Sequence, residues 1–371
     1  MMKTFEFYVF YFIIVVFLLF VSFKLRDHNK TISNILAFLS FLIYIYVAVN
    51  RPIEKNFFNG NLQVFGGADA YTYRNYFYAA NIPFFDYIKN YNGEIGFNFF
   101  LWIIFQIFAD FKVFLFIFHS IIFYLFYWNV KNQIVNTLKY KFYYILLFSI
   151  FIFTSFNTMR NDLATLIWMI SFYYLKRSEY FKSSLLLIIA SSIHYASLIG
   201  FPVIVLHYLY QSLKLSNKTK IYFGIPLCII AFYIITKILV TSYFVNSDYN
   251  VYLNDDGLAI NTYMYILMFI IIAIIKDKEI KDKIQSSNAY LISLIVSFSI
   301  ISIQNQFFMA YRMLLMFLGI NYIYSFELIE KVLKKNNYIN LFFKMLIYIF
   351  YIYRIYDLFF VEISVSGLVR I

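Results

Sequence analysis

Cysteine is all but missing from this chain: Cys228 is the single one among 371 residues, and it lies inside an apolar run. Disulfides are excluded, and so are thiolate metal sites, which need several sulfurs. Charge is scarce as well, at 13 % of residues against 63 % hydrophobic. A soluble domain must cover itself with polar groups, and this composition cannot do so. No Pro- or Ser-rich linker divides the chain and no repeat of 20–50 residues recurs, so a single domain over 1–371 is expected rather than modules or a solenoid. The first apolar run, "FEFYVFYFIIVVFLLFVSFKL", lacks a small-residue cleavage site, is too long for a signal peptide, and has its basic residues after it. It reads as a retained helix.

What is present is apolar sequence in lengths of about 18–25 residues, each enough to cross hydrocarbon. The expected fold is all-α: a polytopic integral membrane protein of about 12 transmembrane helices, within a range of 10–13. The spans fall near 5–23, 32–49, 113–130, 142–156, 163–175, 183–194, 196–210, 221–243, 263–275, 289–303, 313–326 and 339–361. The segment 97–109, "FNFFLWIIFQIFA", is too short to cross comfortably. As a re-entrant or interfacial helix, with the N-terminus outside, it leaves 19 of the 31 basic residues in six short inner loops. Those loops hold Lys24, Arg26 and Lys30; Lys131, Lys139 and Lys141; Lys176, Arg177 and Lys182; Lys214, Lys218 and Lys220; Lys276, Lys278, Lys281 and Lys283; and Lys331, Lys334 and Lys335. A spanning 97–109 puts five of the six outside, against the positive-inside rule. The net charge of +12 is thus scattered for topology and forms no nucleic-acid patch.

The outer face then carries a long loop at 51–111 with interfacial helices, the turn around 157–162, a bend at His194, an acidic loop at 244–262, and "QNQFFMAYR" at 304–312. Arg160 and Arg312 stand on this face against the charge bias. Each either snorkels to lipid headgroups or clamps phosphate, whose oxygens match a guanidinium fork. Arg160 lies just ahead of the helix expected from Leu163, where free N–H groups favour an anion; Asp162 is the rival partner, as a cap and counter-charge. His194 interrupts the apolar run "LLLIIASSIHYASLIGFPVIVL", and an ionisable group there marks a site unless it is a neutral ring bonded to a carbonyl. His119, in mid-helix, reads as structural.

In the long loop, Asp69 follows a Gly pair and Glu94 sits in "NGEIGF", both just before segments suited to the membrane surface. Arg74 and Asp86 share that loop, and its tyrosines, Tyr73 among them, suit either an interfacial belt or sugar faces. Asp248, Asp255 and Asp256 match no EF-hand spacing and read as a solvated acidic loop. Arg354 and Asp357, one helical turn apart, neutralise each other. No cofactor and no particular metal site is implied, and a divalent metal stays open.

Three stretches, "DAYTYRNYF", "NGEIGFNFFLWIIFQIF" and "SFNTMRNDLATLIWMISFYYLKRSEYFKSSLLLIIASSIHYASLIGFPVIVL", together resemble the EpsG/Wzy-type polysaccharide polymerases of bacterial envelopes. The likeness runs over about 65–210, with "AYRMLLMF" adding to it later. Asn161 stands where the family has Gln after the arginine, and Ile95 where it has Pro after the acid. The resemblance implies a multi-pass protein of the bacterial cytoplasmic membrane, with its site facing the periplasm or exterior. A growing glycan on undecaprenyl diphosphate is transferred to the non-reducing end of the next lipid-linked repeat unit. Its partners are that lipid-linked oligosaccharide, membrane lipids and a chain-length regulator, and no nucleic acid.

The residues fit such chemistry. A lipid diphosphate leaving group needs fixed cations, which assigns Arg160 and Arg312. An attacking sugar hydroxyl needs a base, for which Asp69 stands first and Glu94 second. His194 donates to the leaving phosphate or positions the acceptor, with Arg74, Asn161 and Tyr73 as secondary candidates. A single displacement inverts the anomeric centre. An O-antigen ligase shares the Arg/His face but commonly has its large outer loop late, whereas here it is early. A lipid-linked oligosaccharide flippase favours pseudo-symmetric halves and deep central charges, and a membrane O-acyltransferase favours a site open to the inside.

Overall fold

The structure, a computed structural model, describes residues 2–58, 61–65, 68–91, 94–136, 141–156, 158–213, 216–239, 260–284, 286–302, 310–333 and scattered positions from 338 to 349. It divides into two compact units. The first comprises Met1–Leu166, Ser192–His194 and Tyr351–Ile371, the second Ile167–Ser191 and Tyr195–Phe350.

The first unit opens with α1 (Met2–Leu25) and α2 (Lys30–Asn50), joined by a short turn that Asn29 closes by accepting from the Ile32 amide. The two helices meet through buried hydroxyls: Ser22 donates to the Ser33 carbonyl at 2.7 Å and Ser40 to the Val15 carbonyl at 2.9 Å. Small polar residues that let backbones approach are the usual means of joining helices where lipid removes the hydrophobic drive. The long loop then folds into three helices, α3 (Ala68–Tyr78), α4 (Phe84–Asn90) and α5 (Ile95–Phe108). Helix α6 (Phe111–Asn129), the paired short helices α7 (Lys141–Phe148) and α8 (Ile150–Thr154), and the first turns of α9 (Met159–Leu175) complete the unit.

Helix α5 has 14 residues, about 21 Å at 1.5 Å each, against roughly 30 Å of hydrocarbon. It stops at Ala109, held at φ 48° in the left-handed region, and Asp110 at once caps α6 by accepting from the Lys112 amide at 2.8 Å. One helix therefore ends and the next begins where the sequence reading bounds the segment 97–109.

Two departures from the sequence reading stand out. The long loop is not wholly helical: Glu54–Phe58 and Asn61–Phe65 form an antiparallel hairpin, with Phe57 opposite Leu62. Its signal was in the sequence, since Asn59-Gly60 between two strand-forming runs is a strong hairpin dipeptide. The expected span 142–156 is also broken at Ser149, whose hydroxyl bonds the Leu146 carbonyl in place of helix continuation.

In the second unit α9 runs on to Leu175, followed by α10 (Tyr180–Ile193), a 3₁₀ turn at Tyr195–Ile199, α11 (Gly200–Ser212), α12 (Asn217–Leu239), α13 (Ile260–Ile275), α14 (Asp277–Lys283), α15 (Ser287–Ser302) and α16 (Ala310–Glu327). Helix α15 is buried from Ala289 to Ile301 except at the half-buried Phe298, as expected of a helix apolar nearly all round. At one end of this unit, Lys176 donates to the Tyr290 hydroxyl at 2.9 Å and Tyr290 to Glu327 at 3.1 Å. Lys331 also bonds Glu327, and Lys220 donates to Asn288 at 2.6 Å.

Among the described residues, three helical stretches, Lys30–Asn50, Phe111–Val135 and Met313–Val332, are long and apolar enough to cross a membrane, and Phe10–Leu25, Ile95–Phe108, Tyr180–Ile193, Ile266–Ile275 and Ser287–Ile301 are shorter apolar helices. The acidic loop with Asp248, Asp255 and Asp256, the Arg354 and Asp357 pair, and Arg370 lie outside the described residues.

Candidate active site

Glu94, Arg160 and His194 come together in the first unit, although 66 and 100 residues separate the acid from its two partners. Glu94 sits just before α5, at the position that caps it. One of its oxygens pairs with the Arg160 guanidinium; the other accepts from His194 Nδ1 at 2.7 Å. Glu94 and His194 are buried, while the Arg160 side chain keeps 21 % of its surface. Arg160 also donates from Nε to the Tyr73 hydroxyl at 2.5 Å and lies over the Tyr73 ring, 5.2 Å from its centre.

The "EIGF" sequence explains how the acid reaches its partners. Glu94 supplies the charge. A Cβ on Gly96 would lie 2.8 Å from the Ser192 carbonyl oxygen and 2.9 Å from its carbon, so only glycine lets the start of α5 lie against the segment that carries His194. Phe97 is buried, with its ring 4.8 Å from that of Tyr73. Three of the four positions are thus fixed by contact, while Ile95 is exposed, and proline is not required there.

Burial alone lifts a carboxyl, yet the His194 hydrogen bond and the Arg160 charge outweigh it and hold Glu94 down at about 2. Burial pushes the Tyr73 phenol well above its ordinary range despite the nearby guanidinium, so it remains a neutral hydroxyl. His194 lies between the end of α10 and the 3₁₀ turn; its Nε2 is buried and has no hydrogen-bond partner among the described residues.

Arg160 lies inside the first turn of α9, which begins at Met159 and not at Leu163. Its carboxylate partner is Glu94, while Asp162 accepts from the Thr158 hydroxyl at 2.6 Å. Asn161, beside Arg160, has a buried side-chain oxygen without a partner among the described residues. Asp69 is half-buried in the first turn of α3 and acts electrostatically on Tyr73. Arg74 points elsewhere, donating to the Ile53 carbonyl at 2.9 Å. Arg312 is in the first turn of α16, and its side chain lies outside the described residues.

His119 is buried and accepts from Arg51 at Nε2, 3.1 Å away, while its Nδ1 lies 2.8 Å from the Tyr44 hydroxyl. Arg51 also donates to the Phe156 carbonyl at 3.1 Å. Sequence reasoning passed over this buried arginine; its place at the end of α2, next to Pro52, carries no signal of burial.

Helices of this apolarity, with a carboxylate shared between an arginine and a histidine among them, define a membrane protein with a polar site next to a short apolar helix. The chain belongs to the EpsG family, whose model matches residues 57–366. Membership and the apolar helices together mark a membrane protein of polysaccharide biosynthesis. No curated protein and no solved structure matches it.

Proposed function

We propose that the chain is a polysaccharide polymerase of the bacterial cytoplasmic membrane. It moves a growing glycan from undecaprenyl diphosphate to the non-reducing end of a lipid-linked repeat unit, on the outer face and with inversion. The observation that carries this reading is the Glu94–Arg160–His194 cluster, built from three segments that the lysine pattern assigns to one side of the membrane. Lys176, Lys220 and Lys331, assigned to the other side, gather at one end of the second unit, which supports the map of about 12 spans with the N-terminus outside.

In this reading the partly exposed Arg160, with Arg312, holds the diphosphate, because fixed cations stabilise the charge that develops on the leaving group. The acceptor hydroxyl needs a proton acceptor, and Asp69, Glu94 and His194 are the groups at hand. A chain-length regulator is a partner the reaction calls for.

The test is the glycan left behind when the gene is deleted and restored on a plasmid. A polymerase deletion accumulates single lipid-linked repeat units on the outer leaflet and no polymer. Repeat units trapped on the inner leaflet indicate a flippase, and long lipid-linked polymer that is never handed on indicates a ligase; either result overturns the proposal.

A further inference from the structure

We propose that His194 is the proton acceptor for the attacking hydroxyl, and that Glu94 holds its ring in the tautomer that leaves Nε2 open to that proton. The inference rests on the glycan-transfer reading above. A carboxylate at neutral pH only accepts hydrogen bonds, so the 2.7 Å contact places a hydrogen on His194 Nδ1. The neutral ring then carries its lone pair on Nε2, which is buried and unpartnered among the described residues. A buried polar atom without a partner costs free energy, and such atoms call for an explanation. A hydroxyl brought in by the substrate supplies one.

Glu94 cannot take the proton itself. Its two oxygens are engaged by His194 and Arg160, and a carboxylate so stabilised is a weak base. It is a positioning residue: it fixes the ring and faces the imidazolium that forms. In the step, the acceptor oxygen bonds to the anomeric carbon while the bond from that carbon to the diphosphate oxygen breaks. The electron pair leaves with the lipid diphosphate, the hydroxyl proton goes to Nε2, and the imidazolium later returns it to water. No other reactant is needed.

Among the described residues, the charged and titratable groups facing His194 are Glu94 and, through it, Arg160 and the Tyr73 phenol, with Asp69 acting on Tyr73. Arginine does not titrate, Tyr73 is shifted away from acid, and Glu94 loses its proton far below neutrality. His194 and Asp69 are then the two groups whose substitution the experiment must separate.

The experiment uses the full-length protein in proteoliposomes with lipid-diphosphate-linked repeat units, following polymer and released lipid diphosphate against pH. The expected wild-type rate rises with pH along a one-proton limb. In His194→Asn the amide keeps a donor for Glu94 but has nothing at the Nε2 position; kcat falls about a hundredfold or more while KM for the lipid donor stays within about threefold. Glu94→Gln turns an NH₂ toward Nδ1 and favours the other tautomer, with a loss of similar size and a limb moved to lower pH. Asp69→Asn keeps the wild-type limb.

Several results overturn the assignment. A wild-type rate that falls as pH rises through neutrality makes His194 a donor to the phosphate, and this arm needs no variant to fold. His194→Asn with wild-type kcat and limb, or a limb lost in Asp69→Asn instead, sinks the dyad alone. A folded wild-type protein that frees no lipid diphosphate and makes no polymer sinks the glycan-transfer reading itself.

Discussion

A carboxylate that shares its two oxygens between an arginine and a histidine has a measurable acid signature. Glu94 has its native pKa at about 2 against an ordinary 4.5. A depressed carboxyl contributes stability that is complete above the unfolded value and disappears as pH falls through the folded one. Thermal midpoints of the detergent-solubilised wild type and Glu94→Gln therefore differ by a constant amount near neutrality, and the gap narrows as pH drops from about 4.5 towards 2. A gap that stays constant to the acid end shows that Glu94 does not carry the pairing described here. Each member of this trio was visible beforehand as a charge out of place: Glu94 ahead of an aromatic run, Arg160 against the topology, His194 inside an apolar stretch. Their pairing was not. Hydrophobic periodicity says which face of a helix is buried, but not which loop end meets which helix end 100 residues away. The sequence reading accordingly assigned Arg160 to a diphosphate, with its chain neighbour Asp162 as the rival partner, and did not pair it with Glu94.

Among the elements, α5 matters most, because its first turn is pinned and the left-handed Ala109 stops it before it reaches the length of a full span. Gly96→Ala forces a Cβ against the Ser192 backbone, and backbone cannot rotate out of the way as a side chain can. The expected result is a lowered thermal midpoint and at least a tenfold loss of polymer formed per molecule, which Ser192→Gly does not restore. Full activity in Gly96→Ala would show that the two segments do not touch. The shortness of α5 was legible from a simple count of apolar residues, as were most of the long helices. The hairpin at Glu54–Phe58 and Asn61–Phe65 was overlooked because apolar spans dominate the reading of such a chain and five-residue strands do not compete. The break at Ser149 had no signal beyond a serine in an apolar run, where a hydroxyl can equally stay within the helix.

For the whole molecule, the sidedness inferred from lysine can be checked with a cysteine scan in a Cys228→Ser background. If α5 does not cross, Asn90→Cys and Lys112→Cys, on either side of it and both exposed, react with an impermeant maleimide in intact cells or spheroplasts. Lys218→Cys, also exposed, reacts only after permeabilisation. Labelling at one of the first pair without the other means that α5 spans, and labelling of Lys218→Cys in sealed cells inverts the map.

The distances along the chain within the trio also govern how it is made. Synthesis proceeds at about 5–20 residues per second, so Glu94 leaves the ribosome on the order of 5–20 s before His194. For most of that interval the carboxylate has neither partner. When Arg160 emerges, 66 residues after the acid, the pair can close, but Nδ1 is still to come. The helix that ends at Ile193 must be inserted before the loop ahead of α5 acquires its last anchor. A nascent chain halted at Ile193 thus carries every earlier helix of the first unit and yet lacks the one donor that completes the trio, so assembly of the site waits on a segment 100 residues further along the chain.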